Sequence, residues 1–398
     1  MRKTANILTV AVFVGVIVFL SAAFLIIEDK TFSEQENRNL QTLPELNADT
    51  LFDGTYSKKI NSYFADQFPF RDAFVGLKGF SEYALFKGEN NGVLLGKDGF
   101  IAVRSFAVYD GRGFTEPTDY YSEKVLDAEF ATVKKLQEKL DAQGKKFAFV
   151  APPRTIDVAS SKFRFPSENS EKLQNYIRDG LKDVNYIDIL PILKEKLDGG
   201  EYVYYKTDHH FTSLGAYYTY CAVMKQFGLE KDIVPLENFE QELVSDSFYG
   251  TTWSKSGFKF VSPDSIYYFH CKDADENEFT TTRYMSETNK TSFTGFYDRS
   301  FLDSKDKYSS FLGGNSYKTT VVKTGGEGQG QRPKLLLVKD SFGLSLAPFL
   351  ALHFDLELMN VSDMPSVSKI AEANGFDYVL VVYNTENLIS SKYLAFIS

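Results

Sequence analysis

The sequence is short of the residues that build cross-linked or metal-clamped scaffolds. It holds two cysteines, Cys221 and Cys271, in 398 residues. That excludes a disulfide-dense framework and leaves open whether the two are free or paired. Histidine is scarce, with four in the chain, and there is a single tryptophan. No basic stripe interrupts a net charge of -9, which argues against a protein that tracks nucleic-acid phosphates. No nucleotide loop is present either: the Gly-rich TGGEGQGQ lacks the G-K-[ST] ending of a P-loop. No internal repeat of convincing period is found. What is plentiful is apolar and aromatic material, 43% hydrophobic residues with 36 Phe and 24 Tyr. A chain of this length and composition buries a large core, as one large domain or two smaller ones.

The N-terminus carries the longest apolar run. Arg2 and Lys3 precede Ile7–Ile27, a stretch without a charge, and Glu28 and Asp29 follow it. About 20 apolar residues suffice for a helix to cross a bilayer, and the basic flank places the N-terminus in the cytoplasm and the rest outside. A cleaved signal peptide is the competing reading, with Ser21-Ala22-Ala23 as its cleavage site. The stretch is longer than the usual signal-peptide core of roughly 7–15 residues. Residues 1–30 are therefore expected to be a cytoplasmic tip and single-pass membrane anchor.

Residues 31–89 read as an extracytoplasmic entry segment, polar and extended at first, then helical in spacing and broken by Pro69. From residue 90 onward the pattern becomes that of an α/β domain. NNGVLLGKDGFI predicts a β-hairpin. The segment from about Tyr120 to Gln143 aligns Val125, Phe130, Val133, Leu136 and Leu140 along one helical face, with Gly144 ending it. Short apolar strands in KKFAFVAPPR, PKLLLVKDSFG and FDYVLVVYN alternate with helices, one of them from about Ser213 to Phe227. That alternation predicts a three-layer α/β sheet over residues 90–398. At about 236–324 the chain turns aromatic, β-leaning and turn-rich, and is expected to be an insertion against the core, of the kind that forms a lid.

Two stretches carry candidate chemistry. Asp208-His209-His210 holds two of the four histidines behind a carboxylate. Lys339-Asp340-Ser341-Phe342-Gly343 ends an aliphatic strand and begins a helix. A serine at such a turn sits at the carboxyl edge of the sheet with its own N–H at a helix N-terminus. It can equally be an ordinary helix cap. A nucleophile needs a base, and the base an acceptor that fixes its tautomer. Asp208 can bond one nitrogen of His210 while the other faces a serine, and Thr212 or Ser213 then caps the following helix. A metal site wants three or four ligands. The remaining histidines, His270 and His353, lie in no ligand pattern, so no metal is expected.

TDHHFTSLGAY, FYGTTWSKSG, FLGGN and LLLVKDSFG resemble the DHHW family, with Phe211 where the family has Trp. The wider similarity is to SGNH-hydrolase-like enzymes that O-acetylate alginate and other extracellular polysaccharides. GVLLGKDGF and DQFPFRD resemble their N-terminal segments, so the likeness runs from about Thr31 to Asn387. It implies a three-layer α/β/α SGNH-hydrolase-like fold in circularly permuted order, with Asp208, His210 and Ser341 as a catalytic triad. His209 then structures the loop. No cofactor is implied. The implied partners are a polysaccharide acceptor and a membrane-bound O-acyltransferase that delivers the acyl group. For the oxyanion, the Ser341 N–H is the first donor. Gly314 and Asn315, or Tyr383 and Asn384, are candidates for the second, unless both segments are turn chemistry. Trp253 is a candidate for stacking on a sugar ring. An esterase of the same fold and a non-catalytic glycan-binding or assembly factor remain open beside the O-acetyltransferase.

Overall fold

The computed structural model describes residues 2–104, 121–164, 170–363, 366–390, 394 and 397. The chain divides into two compact units. The smaller comprises Met1–Asn91 with Ser254–Phe260, and the larger comprises Gly92–Trp253 with Val261–Ser398.

The smaller unit is helical. Helix α1 (Arg2–Ile26) is, among the described residues, the one helix long and apolar enough to cross a membrane, over Thr4–Ile26. Those properties are compatible with a single span. Helices α2 (Thr55–Asp66) and α3 (Arg71–Ala84) are separated around Pro69, which lacks the N–H a continuing helix needs. Charged side chains tie the unit together. Arg38 bonds Asp66 at 2.6 Å, and Arg71 pairs with Glu36. Gly79 of α3 lies so close to Gly257 that a Cβ would run into the Gly257 carbonyl.

The larger unit begins with the expected hairpin, β1 (Val93–Leu95) antiparallel to β2 (Ile101–Val103). Its central sheet has eight strands among the described residues. Five of them are parallel: β11 (Asp355–Asn360), β10 (Lys334–Lys339), β12 (Tyr378–Val382), β3 (Lys146–Val150) and β4 (Tyr186–Ile187), in that spatial order. Both faces of this part are covered. Leu335, Leu337, Leu380 and Val382 point to one core with α6 (Leu190–Asp198), α7 (Ser213–Gln226) and α8 (Phe342–Ala351). Leu336, Val338, Val379 and Val381 point to the other, with α4 (Glu123–Ala142), α5 (Ser170–Gly180), α9 (Val367–Ala373) and α10 (Thr385–Ser390). Strands buried on both faces read as continuous aliphatic runs, and LLLV in β10 is one. The result is the α/β/α sandwich. Helix α4 is capped by Ser122, and its inward stripe starts at Leu126 rather than Val125. Tyr120, the expected start of this helix, lies outside the described residues.

The segment at 236–324 departs from expectation. Strands β5 (Phe239–Phe248) and β6 (Asp264–Cys271) form a separate antiparallel ribbon. But β7 (Phe279–Tyr284), β8 (Lys290–Thr294) and β9 (Lys318–Lys323) extend the central sheet, β9 pairing antiparallel with β11. Half of the presumed insertion is thus sheet. Short, turn-rich β segments have the same composition in either role, so only the long-range pairing distinguishes them. Cys221 and Cys271 are free thiols.

Candidate active site

The Asp208–His210 loop is held from below by a buried carboxylate. Asp264 accepts hydrogen bonds from the N–H groups of Lys206 and Thr207, both at 2.8 Å, from the Thr207 hydroxyl at 2.5 Å and from the Tyr202 phenol. Burial pushes the Asp264 carboxyl up, and these donors oppose that shift. On the far side of the loop Thr212 caps α7, accepting from Gly215 N at 3.3 Å and donating to the Tyr202 carbonyl at 2.5 Å. Two ends are therefore fixed, and the three residues between them have little freedom.

Within that loop Asp208 is almost fully buried, at 1% exposure. Its Oδ1 accepts from His210 Nδ1 at 2.5 Å and from the His210 N–H at 3.1 Å. Its Oδ2 accepts from the Thr251 N–H at 2.8 Å and hydroxyl at 3.0 Å. Burial alone would raise this carboxyl. The neighbouring His209 and His210 and the Thr251 N–H outweigh it and hold Asp208 well below the usual carboxylate range. An ionised Asp208 assigns the proton to Nδ1 of His210. Nε2 then accepts from the Ser341 hydroxyl, 2.6 Å away. Burial, with His209 adding to it, lowers His210 to about 4 against the pull of Asp208, so the imidazole is neutral at pH 7 and its Nε2 carries no proton.

Ser341 follows β10 and precedes α8 in a relaxed helical conformation, φ -63° and ψ -21°. The residue before it, Asp340, is the anchor of the turn. Its carboxylate accepts from Phe342 N at 3.0 Å, from Asn384 N and Nδ2, both at 2.6 Å, and from Asn387 Nδ2 at 3.2 Å. The turn after β10 is thereby tied to the turn after β12. Lys339, buried and lowered to about 8 by that burial, donates to Asn315 Oδ1 at 2.6 Å and Asn360 Oδ1 at 2.9 Å.

The structure brings Asp208, His210 and Ser341 into one hydrogen-bonded line and sorts the remaining candidates. His209 lies over His210, ring centroids 3.9 Å apart, and its Nδ1 meets the Thr251 hydroxyl at 2.7 Å. Asn384 lines a cleft with Pro153, Arg154, His209, Phe342 and Glu386. Its backbone N–H and one amide hydrogen go to Asp340, which leaves the second amide hydrogen. The Tyr383 N–H bonds the Val150 carbonyl at 3.0 Å and its ring is in the core, so that N–H does not face the site. Asn315 is turned to Lys339, and Gly314 serves a turn at φ +81°. Trp253 is buried, its ring 4.3 Å from Tyr249 and 4.6 Å from the Lys305 ammonium, so it presents no open face for a sugar. Asp208, His209 and His210 each offer a ligand atom within 4.8 Å of one another, but those of Asp208 and His210 are already engaged with each other and with Ser341. His353 bonds the Tyr220 hydroxyl at 2.8 Å, and His270 bonds Glu242 and Glu276 at 3.0 and 2.9 Å.

Three contributors were not singled out from the sequence. Gly250 abuts Asp208 so closely that a Cβ would strike the carboxylate. Thr251 donates to that carboxylate twice; both lie in FYGTTWSKSG, which carries a signal only through the family likeness. Tyr308 stacks flat on His210, centroids 4.0 Å apart at 11°. Its hydroxyl reaches the Ser341 carbonyl at 3.1 Å and Ser345 Oγ at 2.9 Å. Nothing local in the sequence marks it.

The sequence model of the family described as DHHW protein matches residues 108–361, more than half of the chain. The probable alginate O-acetylase AlgJ of Pseudomonas fluorescens is 24% identical over 206 residues, 50% of this chain and 49% of that protein. The chain thus matches about half the length of that curated relative. Among solved structures, a DHHW family protein from Eubacterium siraeum superimposes with a TM-score of 0.57 at 19% identity, over 77% of this chain and 95% of the other. Bacillus cereus PatB1 with a sulfonyl adduct does so with a TM-score of 0.58 at 18% identity, over 77% and 100%. These two likenesses speak for the fold.

Proposed function

This chain belongs to the DHHW family, and from that premise we propose that it is a serine-dependent O-acetyltransferase acting on hydroxyls of a cell-surface or exported polysaccharide. The observation that carries the reading is the line from Asp208 through His210 to Ser341, with contacts of 2.5 and 2.6 Å. The similarity to a probable alginate O-acetylase supplies the acyl group and the acceptor class. In this reading α1 anchors the protein with its N-terminus in the cytoplasm, and the larger unit works outside. A membrane-bound O-acyltransferase is the proposed source of the acetyl group.

The reaction is a double displacement. His210 Nε2 takes the Ser341 proton as Oγ attacks the carbonyl carbon of the acyl donor. The tetrahedral oxyanion collapses, the leaving group departs with the proton from His210, and acetyl-Ser341 remains. A sugar hydroxyl then gives its proton to the same nitrogen and attacks the ester, and Ser341 recovers its proton as the product leaves. Asp208 stabilises the imidazolium in both halves. The Ser341 N–H, which has no acceptor among the described residues, and the free amide hydrogen of Asn384 are the proposed oxyanion donors. Each such donor typically contributes about 2.7–4 kcal/mol.

The test is mass spectrometry of the full chain in detergent after incubation with p-nitrophenyl acetate. An acetyl adduct on Ser341 that is absent in His210→Ala supports the reading. Transfer of that acetyl to an added oligosaccharide separates a transferase from an esterase, in which water alone resolves the adduct. No adduct on Ser341 overturns the triad and favours a glycan-binding protein.

A further inference from the structure

We propose that the outward side of α3 lies in the lipid bilayer, at the level where α1 leaves it, so that the protein meets the membrane through an interfacial helix as well as a span. The inference rests on reading α1 as a membrane helix. It starts from an inverted pattern. Phe70, Phe74, Leu77, Phe80, Leu85 and Phe86 are between 46% and 99% exposed. Phe74, Leu77 and Phe80 recur every third residue and so cover about 120° of the helix circumference. Gly79, on the opposite side, packs against Gly257. Two polar residues of the helix are engaged within the unit: Arg71 pairs with Glu36, and Glu82 accepts from Lys87 at 3.0 Å and from Asn90. A helix facing water shows the reverse arrangement, and a run of exposed phenylalanines marks a surface that another apolar phase covers.

The contacts with α1 identify that phase as lipid. Phe19 of α1 stacks with Phe70 at 6.0 Å, and Phe24 with Phe64 of α2 at 5.4 Å. Phe19 lies seven residues before the end of α1 at Ile26, about 10 Å along a helix axis. Amphipathic helices at a membrane surface sink their apolar faces by a similar distance, about 5–10 Å into the boundary between headgroups and acyl chains. The side chain at the head of α3 is thus level with a part of α1 that hydrocarbon surrounds, and the exposed stripe continues from it.

The full chain is reconstituted in phosphatidylcholine–phosphatidylglycerol vesicles containing lipids brominated in their acyl chains. Single tryptophans are introduced as Leu77→Trp or Phe86→Trp, with Ile17→Trp in α1 and Ser286→Trp as references, over the constant background of buried Trp253. The expected result is a bromolipid-dependent loss of at least about half the added fluorescence at positions 17, 77 and 86, and none at 286. Quenching at 17 without quenching at 77 and 86 overturns the inference and leaves the anchor standing. No quenching at any of the three overturns both. Residues 77 and 86 shielded from aqueous acrylamide yet insensitive to bromolipid would identify a protein surface as the occupant, and so also overturn it.

Discussion

In the larger unit the carboxylates of Asp208 and Asp264 lie inside, that of Asp340 is half-buried, and all three are ringed by donors, while the phenylalanines near them are core. In the smaller unit Phe74, Leu77 and Phe80 stand in the open, and the inward positions carry ion pairs and a glycine contact. The two units thus distribute polarity in opposite senses. A buried polar group is unfavourable until it is hydrogen-bonded, and once fully bonded it permits very few orientations. The larger unit uses that property to hold Asp208, His210 and Ser341 in one hydrogen-bonded line. The smaller unit uses it to turn an apolar face outward.

The comparison predicts that lesions in the larger unit change chemistry and leave membrane association alone. Ser341→Ala or His210→Ala should lower acetyl release from p-nitrophenyl acetate by about 10⁴-fold, with vesicle binding of the full chain unchanged. A parallel loss of vesicle binding would mean that the two roles are not separable. Gly250→Ala forces a methyl group into the Asp208 carboxylate and should lower kcat by about 10²-fold through misplacement of the base, checked by steady-state kinetics beside a thermal melt. Thr251→Val removes one of the donors to Asp208 and the partner of His209. A tenfold fall in kcat/KM is expected, since a hydrogen bond to a charged group contributes about 1.5–3 kcal/mol.

The pH profile sharpens the contrast further. His210 acts as a base only when neutral, so kcat/KM should decline as pH falls through about 4. The sign for stability is the same. An unfolded histidine, at its ordinary 6.5, takes up a proton before the native one does, so native stability is lost progressively as pH drops from 6.5 towards about 4. A profile that instead breaks near 6.5 would mean that burial does not hold His210 neutral. The smallest effect belongs to Tyr308→Phe, which keeps the ring on His210 and removes the hydroxyl from the Ser341 carbonyl. A fall in kcat of a few-fold, about 1 kcal/mol, is expected, and Tyr308→Leu should cost more because the stacking goes too.

Much of the fold was legible because it is local. The aliphatic run of β10, the stripe of α4 and the break at Pro69 each follow from spacing within a few residues, and so does the Asp208–His210 pair. Ser341 was legible as a strand-to-helix turn, and the family likeness joined it to the histidine. Tyr308 and Thr251 act across gaps of 98 and 43 residues from their partners His210 and Asp208, and no periodicity records such contacts. Trp253 misled because residue type suggested a role that its burial in the folded chain removes, and Tyr383 because its place at the end of a strand did not reveal that its N–H bonds the Val150 carbonyl. The strands β7, β8 and β9 looked like an insertion because edge pairing is decided by tertiary contact.

Strand β10, which delivers Ser341, is flanked by β11 and β12, with three further strands beyond β11 and two beyond β12. Fraying of a sheet begins at its rims and proceeds inward, and amide protons on interior strands exchange only when large parts of the structure open. The amides of Leu335–Val338 should therefore be among the slowest in the chain to exchange. Fraying at the β8 and β4 rims therefore leaves the strand that carries Ser341 in place.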